Sequence, residues 1–338
     1  MARARRWSIA AAVGAGSAGT AAGAAYGLLN EQSRRARKVI GAPARIPPRA
    51  DGVYAPTGGH PGPLAQLTLP AELTLVMLGD SSAAGLGCDD AEEVPGVLLA
   101  RGLAEETDRP VRLITHAVVG ATSRVLDAQL DMALDRNGGA APDAAVVIIG
   151  ANDVAARLSP SASAVRLGAA VGRLHRLGTA VVVATCPDLG AIRPIPQPLR
   201  SIVRTWSLQL AREQRAAVLA AGGHPVAVAD LLSPEFLTRP DALFSPDRFH
   251  PSAAGYEAAA ALLLPALCSE LGVWGGGPLA EPPRRSVTAD AHRPTARLTA
   301  AVNRHLYRRA REGGSAAARV GGSAAARVLR RGGPTTGQ

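Results

Sequence analysis

The sequence is poor in aromatic side chains and in lysine. Only 3% of its 338 residues are Phe, Trp or Tyr, and Lys38 is its single lysine. A core with few aromatic rings is built from Ala, Val, Leu and Ile, which suits a parallel sheet covered by helices better than an aromatic-rich sandwich. The excess of arginine over lysine indicates a compositional bias and carries no functional information.

Cysteine is almost as scarce, with only Cys88, Cys186 and Cys268 along the chain. None lies in a Cys-x-x-Cys or Cys/His spacing of the kind that binds zinc, so the sequence predicts no metal site. An odd number of cysteines leaves at least one free thiol. The sequence leaves open whether the other two form a disulfide, and which pair this would be.

The net charge of +10 is concentrated at the two ends of the chain. Residues 1–50 contain nine basic side chains and one acidic, and residues 284–338 contain twelve arginines and two acidic residues. Residues 51–283 are acidic overall, with sixteen basic and twenty-four acidic side chains. Basic flanks on an acidic centre indicate contact with an anionic surface, such as a phospholipid leaflet. No zinc-finger, helix-turn-helix or aromatic-basic strand pattern supports nucleic acid as a partner.

Residues 1–40 have the pattern of an export signal or a membrane anchor. Three arginines precede an uncharged stretch from Trp7 to Leu29, which is close to the ~20 residues that a helix needs to cross a bilayer core. Ala22-Gly23-Ala24 is a candidate cleavage site. A cleaved signal and an uncleaved anchor both stay open, and the length of the apolar run favours the anchor. We therefore expect an exported or membrane-anchored protein of the cell envelope.

Composition divides the rest of the chain into a linker, a folded domain and a tail. Residues 41–70 contain seven prolines and several glycines, which is typical of an extended linker. Residues 71–275 have the pattern of a folded domain. Residues 276–338 are predicted to form an arginine-rich flexible tail. Within the tail, residues 295–311 are equally compatible with a basic amphipathic helix on a membrane surface.

Short apolar runs alternate with longer helical patterns in the folded domain. The runs are continuous in Val, Ile, Leu and Ala, as expected where helices cover both faces of a sheet. This pattern predicts an α/β fold, a doubly wound domain with a five-stranded parallel sheet. The expected strands are residues 73–78, 111–118, 144–149, 179–185 and 225–229, with a final helix at about 252–271.

Reactive residues follow the predicted strands, and ligands bind beyond the carboxyl ends of the strands in sheets of this kind. Gly79-Asp80-Ser81-Ser82 follows the first strand. A serine hydroxyl needs a base within hydrogen-bond reach. His250 is the best candidate of the seven histidines, because Asp247 precedes it by three residues and can orient its ring. The sequence therefore predicts Ser81 as nucleophile, His250 as base and Asp247 as the orienting acid.

Ester cleavage also requires donors for the negative oxygen that forms in the transition state. The backbone N–H groups of Ser81 and Gly120 and the side-chain amide of Asn152 are the predicted donors. Gly120 follows the second strand and Asn152 the third. Each short motif alone also occurs in ordinary turns, but their combination in this order, beyond neighbouring strands of one sheet, is a much stronger indication.

These blocks together resemble the SGNH or GDSL hydrolases, a lipase and esterase family with Ser, Gly, Asn and His markers. Gly79-Asp80-Ser81, Gly120, Gly150-Ala151-Asn152-Asp153 and Asp247-Arg248-Phe249-His250-Pro251 look like its four blocks, within roughly residues 73–272. The resemblance implies a flavodoxin-like three-layer α/β/α sandwich for residues 71–275. It also implies hydrolysis through an acyl-enzyme on Ser81, without a metal or organic cofactor.

The favoured function is a serine carboxylic-ester hydrolase with a small-molecule or lipid ester as substrate. Deacetylation or acyl transfer on a cell-envelope polysaccharide would use the same residues and stays open. The loop of residues 186–199 is expected to line the cleft, and its apolar side chains favour acyl chains over sugars. A non-catalytic envelope-binding module is a third alternative, which the complete set of markers disfavours.

Overall fold

A computed structural model describes residues 23–41, 46–56 and 71–283. Most of the predicted signal or anchor, up to residue 22, lies outside the described residues. The same is true of residues 57–70 of the predicted linker and of the predicted tail beyond residue 283.

A mixed sheet forms the centre of the domain, with six strands in the described part of the chain and the order β1-β3-β2-β4-β5-β6. The strands from β2 to β6 are parallel to their neighbours, whereas β1 runs antiparallel to β3. The predicted five-stranded parallel sheet is therefore confirmed and has one further strand at its edge. The strands are β1 (Gly52–Tyr54), β2 (Leu73–Gly79), β3 (Val111–Thr115), β4 (Ala144–Ile148), β5 (Ala180–Ala184) and β6 (His224–Val226).

Helices occupy most of the connections between the strands and also precede and follow the sheet. The first, α1, covers residues 23–40. The others are α2 (Pro95–Thr107), α3 (Leu126–Arg136), α4 (Ala151–Ala155), α5 (Pro160–Arg176), α6 (Leu199–Ala220), α7 (Val228–Leu231), α8 (Ser233–Thr238), α9 (Pro240–Leu243) and α10 (Ala253–Glu270).

The two faces of the sheet bury separate apolar clusters, as the alternation of side chains along a strand requires. Leu75 and Met77 of β2 contribute to the cluster that also contains apolar residues of α2 and α10. Val76 and Leu78 contribute to the opposite cluster with residues of α3, α5 and α6. Helices therefore cover both faces, and the predicted three-layer α/β/α arrangement is confirmed.

Strand β1 lies within the segment that the sequence predicted to be an extended linker. It pairs with β3 from Gly52 to Tyr54, and the side chain of Tyr54 is only 2% exposed. Asp51, just before it, accepts a hydrogen bond from the N–H of Thr115 (2.9 Å). Pairing of this kind covers the free edge of β3. Three residues between prolines are too few to produce a periodic sequence pattern, so the strand was not predicted.

Two predicted strands are shorter than expected. Strand β3 ends at Thr115, and His116 donates its N–H to Met77 across the strand end (2.9 Å). The predicted strand at 225–229 ends at Val226, because the N–H groups of Asp230 and Leu231 turn back to the carbonyl of Ala227 and begin α7. Apolar residues alone do not distinguish a strand end from the first turn of a buried helix.

Helix α1, which contains the end of the predicted signal or anchor, packs against the domain. Gln32 is 9% exposed; its amide donates to the carbonyl of Gln197 (2.6 Å) and accepts from the N–H of Leu199 (3.1 Å). Asn30 accepts a hydrogen bond from Arg157 (2.7 Å). Across the described ranges, no helix has both the length and the hydropathy required to span a bilayer.

Two buried glutamines hold the carboxyl ends of three strands. Gln129 of α3 accepts from the N–H of Gly79 (2.9 Å) and donates to its carbonyl (2.8 Å). Gln214 of α6 accepts from the N–H of Cys186 (2.6 Å) and donates to the carbonyl of Ile149 (3.0 Å). Both side chains are 1% exposed. Each amide thus satisfies one backbone donor and one acceptor where the chain leaves the sheet.

Substitution of Gln214 tests this role in the fold. We expect Gln214→Leu to lower the free energy of unfolding by about 3 kcal/mol, because two buried backbone groups lose their partner. Gln209→Leu on the same helix is the matched control, since Gln209 is only half-buried, and we expect a change of about 0.5 kcal/mol or less. Urea denaturation followed by circular dichroism measures both. Equal losses in the two variants would contradict the assigned role.

Candidate active site

The turn after β2 carries Ser81 and is shaped by Gly79. Gly79 has a φ of +133°, and a β-carbon at this position would overlap the carbonyl oxygen of Ile148 in β4. This carbonyl instead accepts the N–H of Asp80 (3.0 Å), and the carbonyl of Ser81 accepts the N–H of Leu86 (2.9 Å). The chain therefore turns sharply at the strand end and fixes the backbone of Ser81.

The segment that carries His250 is a short turn between α9 and α10. The N–H of Ser245 donates to the carbonyl of His250 (2.8 Å), and Arg248 between them has a φ of +57°. One carboxylate oxygen of Asp247 accepts from the hydroxyl of Ser245 (2.8 Å) and from the N–H groups of Phe249 (2.8 Å) and His250 (2.9 Å). Asp247 thus organises the turn as well as facing the imidazole.

Ser81, His250 and Asp247 form one continuous chain of hydrogen bonds. The hydroxyl oxygen of Ser81 lies 2.9 Å from Nε2 of His250, and Nδ1 of His250 lies 2.6 Å from Oδ2 of Asp247. Ser81 and His250 are 5% and 8% exposed. The fold therefore brings together the three predicted residues, although Ser81 and His250 are 169 positions apart in the sequence.

Asp247 is held in its ionised form. Partial burial acts to raise the pKa of its carboxyl, but the hydrogen bonds from the ring and backbone of His250 and from the backbone of Phe249 outweigh it. The pKa of Asp247 falls to about 2. A carboxylate that stays charged fixes Nδ1 of His250 as the protonated nitrogen, so that Nε2 is free to accept a proton from Ser81.

Gly120 and Asn152 lie beyond the two strands that flank β2. The N–H of Val118 donates to the carbonyl of Gly79 (3.1 Å), which joins the loop that carries Gly120 to the end of β2. Asn152 lies in the first turn of α4, directly after β4. Within the described residues, neither the N–H of Gly120 nor the amide of Asn152 has a hydrogen-bond partner, so both are free to donate to a ligand.

The sequence did not identify Ser123 and Asp153 as a contact. The carboxylate of Asp153 accepts both the hydroxyl (2.6 Å) and the N–H (3.0 Å) of Ser123, and the two side chains are 1% and 3% exposed. Asp153 is part of the predicted asparagine block, but no local pattern indicates a partner thirty residues earlier. The contact depends on how β3 and β4 are placed around β2.

A second buried carboxylate, Asp80, lies beside the nucleophile. Burial raises its pKa to about 7, and the charge of Asp153 acts in the same direction. Hydrogen bonds from the backbone of Ser82 and Gly150, together with the positive charge that His250 carries when protonated, partly oppose this rise. Asp80 is therefore partly protonated near neutral pH.

An open groove of about 1030 Å³ borders the Ser81 turn on the β1 side. Val118 and Val119, just before Gly120, line it and are 50% and 41% exposed. The loop of residues 186–199 was predicted to contribute to the cleft. Two of its apolar side chains, Ile192 and Ile195, are buried in the same cluster as Ala36 of α1. Further apolar lining residues of the groove include Pro47, Pro48, Ala83 and Ala84.

The cysteines do not contribute reactive groups to this arrangement. Cys88, Cys186 and Cys268 are buried free thiols, which removes the disulfide that the sequence left open. Burial raises the pKa of Cys88 to about 12 and that of Cys268 to about 11. In the ranges that the structure describes, no group of three His, Cys, Asp or Glu side chains is placed to bind a metal ion.

Comparison with known proteins agrees with the predicted family. A sequence model of the GDSL-like lipase/acylhydrolase family matches residues 77–258. A GDSL-like esterase of Mycobacterium tuberculosis (strain ATCC 25618 / H37Rv) is 49% identical over 282 residues, which are 83% of this chain and 89% of that protein.

Solved structures with a similar arrangement include an α/β hydrolase, LAE5, from the metagenome of Lake Arreo in Spain. It has a TM-score of 0.47 and 22% identity, over 61% of this chain and 98% of that chain. An acetylxylan esterase from Geobacillus stearothermophilus has a TM-score of 0.44 and 21% identity, over 60% and 95% of the two chains. The family match and the Mycobacterium tuberculosis relative show that the chain belongs to the GDSL-like lipase/acylhydrolase family, the SGNH hydrolases, and is an ester hydrolase.

Proposed function

We propose that this esterase cleaves carboxylic esters through a covalent acyl-enzyme on Ser81. The observation that carries the proposal is the hydrogen-bond chain from Ser81 through both ring nitrogens of His250 to Asp247. A nucleophile in contact with a base, and a base in contact with an orienting acid, is the arrangement that activates a serine hydroxyl.

The reaction follows from the protonation states in this chain. The oxygen of Ser81 attacks the acyl carbon while its proton passes to Nε2 of His250, and the imidazolium is stabilised by Asp247. His250 then returns the proton to the oxygen of the leaving alcohol. In the second half, a water molecule gives a proton to Nε2 and attacks the acyl carbon. Ser81 leaves with that proton, and the carboxylic acid is released.

The oxyanion is stabilised by donors from three neighbouring strand ends. We assign this role to the N–H groups of Ser81 and Gly120, after β2 and β3, and to the side-chain amide of Asn152, after β4. Each donor placed in this way contributes on the order of 10²-fold to the rate, because it meets charge that develops only in the transition state. The absence of other partners for Gly120 and Asn152 among the described residues supports this assignment.

The groove beside the turn supports a hydrocarbon acyl group over an acetylated polysaccharide as the natural substrate. Exposed Val118 and Val119, next to Gly120, line it together with Pro47 and Pro48. The charged residues Arg49, Asp51, Arg112 and Arg136 also line it. The apolar part of this surface gains from contact with hydrocarbon chains.

Ser81→Ala tests the nucleophile. We expect turnover of p-nitrophenyl acetate to fall by more than about 10³-fold, because no other group can form the acyl-enzyme. The thermal midpoint is expected to change little, since the hydroxyl makes one hydrogen bond. Ser82→Ala is the matched control and should keep most of the activity. Full activity of Ser81→Ala, or failure of a fluorophosphonate probe to label Ser81, would rule out the proposal.

Asp247→Asn tests the acid through the pH dependence of stability. The folded-state pKa of about 2 lies below the reference value of 3.8, so the carboxylate stabilises the fold above pH 4 and loses this effect as the pH falls toward 2. We expect wild type to be more stable than Asp247→Asn at pH 6, and the difference to narrow at pH 3. Denaturant titrations at the two pH values measure it. A difference that is constant with pH would contradict the assigned charge state.

Val118→Trp tests the groove. We expect the bulky ring to reduce kcat/KM for p-nitrophenyl octanoate at least about tenfold more than for the acetate, because only the longer chain reaches the blocked volume. Val165→Trp is the control, since Val165 is 69% exposed on α5, away from the groove. Equal losses for acetate and octanoate would show that the groove does not hold the acyl chain.

A further inference from the structure

The contact between Asp153 and Ser123 joins the two loops that carry the proposed oxyanion donors. Ser123 lies three residues after Gly120, and Asp153 is the residue after Asn152. The two loops follow β3 and β4, which lie on opposite sides of β2 and do not pair with each other. Beyond the strand ends, sheet hydrogen bonds no longer fix the distance between the loops. The Asp153–Ser123 contact does so directly.

The Asp153–Ser123 contact is shielded from solvent and consists of short hydrogen bonds. Asp153 is 1% exposed and Ser123 is 3% exposed. One carboxylate oxygen accepts the serine hydroxyl at 2.6 Å, and the other accepts the serine N–H at 3.0 Å. Hydrogen bonds to an ionised acceptor are stronger than neutral ones, and a two-point contact also restricts rotation.

The hydroxyl of Ser123 also links the carboxylate to a positive charge. Arg166 of α5 donates to this hydroxyl at 3.5 Å and to the carbonyl of Ala162 at 3.2 Å. Ser123 thus accepts from Arg166 and donates to Asp153, which is the direction that an ionised carboxylate favours. A buried carboxylate is costly unless such partners satisfy it.

Local capping does not account for the orientation of the Asp153 side chain. Asp153 lies in the first turn of α4, where an acidic side chain commonly accepts N–H groups of its own helix. Its carboxylate instead binds a residue thirty positions earlier in the chain. The contact therefore holds two separate loops together and does not simply begin a helix.

We propose that Asp153 and Ser123 are a positioning pair that sets the spacing between the Gly120 N–H and the Asn152 amide. This rests on the proposed function, because it assigns the pair to the oxyanion site of Ser81. The pair does not touch the substrate. It acts on the transition state alone, since the distance between the two donors matters most when the carbonyl oxygen has become an oxyanion.

The test is steady-state kinetics of Asp153→Asn and Ser123→Ala with p-nitrophenyl acetate. We expect kcat to fall by about 10- to 100-fold in each variant, with KM within about twofold of wild type, because displacement of a donor by a fraction of an ångström weakens transition-state binding. Combining both substitutions should add little to the larger single effect, as expected when two residues act through one contact. Ser123→Thr keeps the hydroxyl and the N–H and should restore most of the activity.

A matched control is available at the opposite end of the same sheet. Asp143 accepts the N–H of Thr74 at 2.7 Å, so Asp143→Asn also replaces a carboxylate that binds the backbone, but far from the strand ends that carry the site. We expect this variant to keep kcat. A fall in thermal midpoint without a fall in kcat for Asp153→Asn and Ser123→Ala would overturn the positioning role. So would additive losses in the double variant.

Failure of the proposed function would appear differently. In that case Ser81→Ala would retain the activity of wild type, whatever the effect of Asp153→Asn. If Asp153→Asn does not fold, Ser123→Ala decides the question, since it removes only one hydroxyl. Normal kcat in that folded variant would overturn the proposal.

Discussion

The close approach of β2 and β4 at Gly79 is the constraint on which the active site depends. A side chain at this position would overlap the carbonyl of Ile148, and the positive φ of Gly79 directs the chain out of the sheet. Gln129 binds both backbone groups of Gly79, and Asp80 takes over the pairing with Ile148. Ser81 is therefore fixed by its backbone between the loops that follow β3 and β4, independently of His250.

His250 reaches Ser81 because the last helix of the domain is fastened to the end of the same turn. The hydroxyl of Tyr256 in α10 donates to the carbonyl of Leu86 (2.7 Å), and Tyr256 is 2% exposed. A β-carbon at Gly87 would overlap the carbonyl of Pro251. Through these contacts, the segment before α10 packs against the turn that carries Ser81. The distance of 2.9 Å between Ser81 and His250 is thus a consequence of helix packing.

The sequence predicted those parts of the structure that depend on local patterns. Continuous apolar runs gave the five parallel strands, and the residues just beyond them included Ser81, Gly120 and Asn152. Asp247 and His250 were identified because Asp247 lies three positions before His250. Strand β1 was missed, since three residues carry no period and its pairing with β3 is a tertiary contact. The docking of α1 was missed for a similar reason, because Gln32 binds the backbone near residue 198 and not its own helix.

Local sequence patterns also could not predict the hydrogen-bond partners of the buried amides and carboxylates around the site. Gln129 and Gln214 look like ordinary polar positions of amphipathic helices, and their partners are backbone groups that any sequence provides. Asp153 was visible beside Asn152, but its partner Ser123 becomes adjacent only when β3 and β4 have taken their places around β2. Contacts of this kind require the three-dimensional order of the strands, which the sequence alone does not specify.

The three carboxylates near the nucleophile are stabilised in different ways. Their charges affect the stability of the oxyanion. Asp247 is charged because several donors hold it so, and Asp153 is satisfied by two donors of Ser123. Asp80 is 2% exposed, and burial raises its pKa to about 7. If all three were fully ionised, their combined charge would oppose a new negative oxygen above Ser81. Partial protonation of Asp80 reduces that opposition while its contact with the N–H of Ser82 keeps the turn in place.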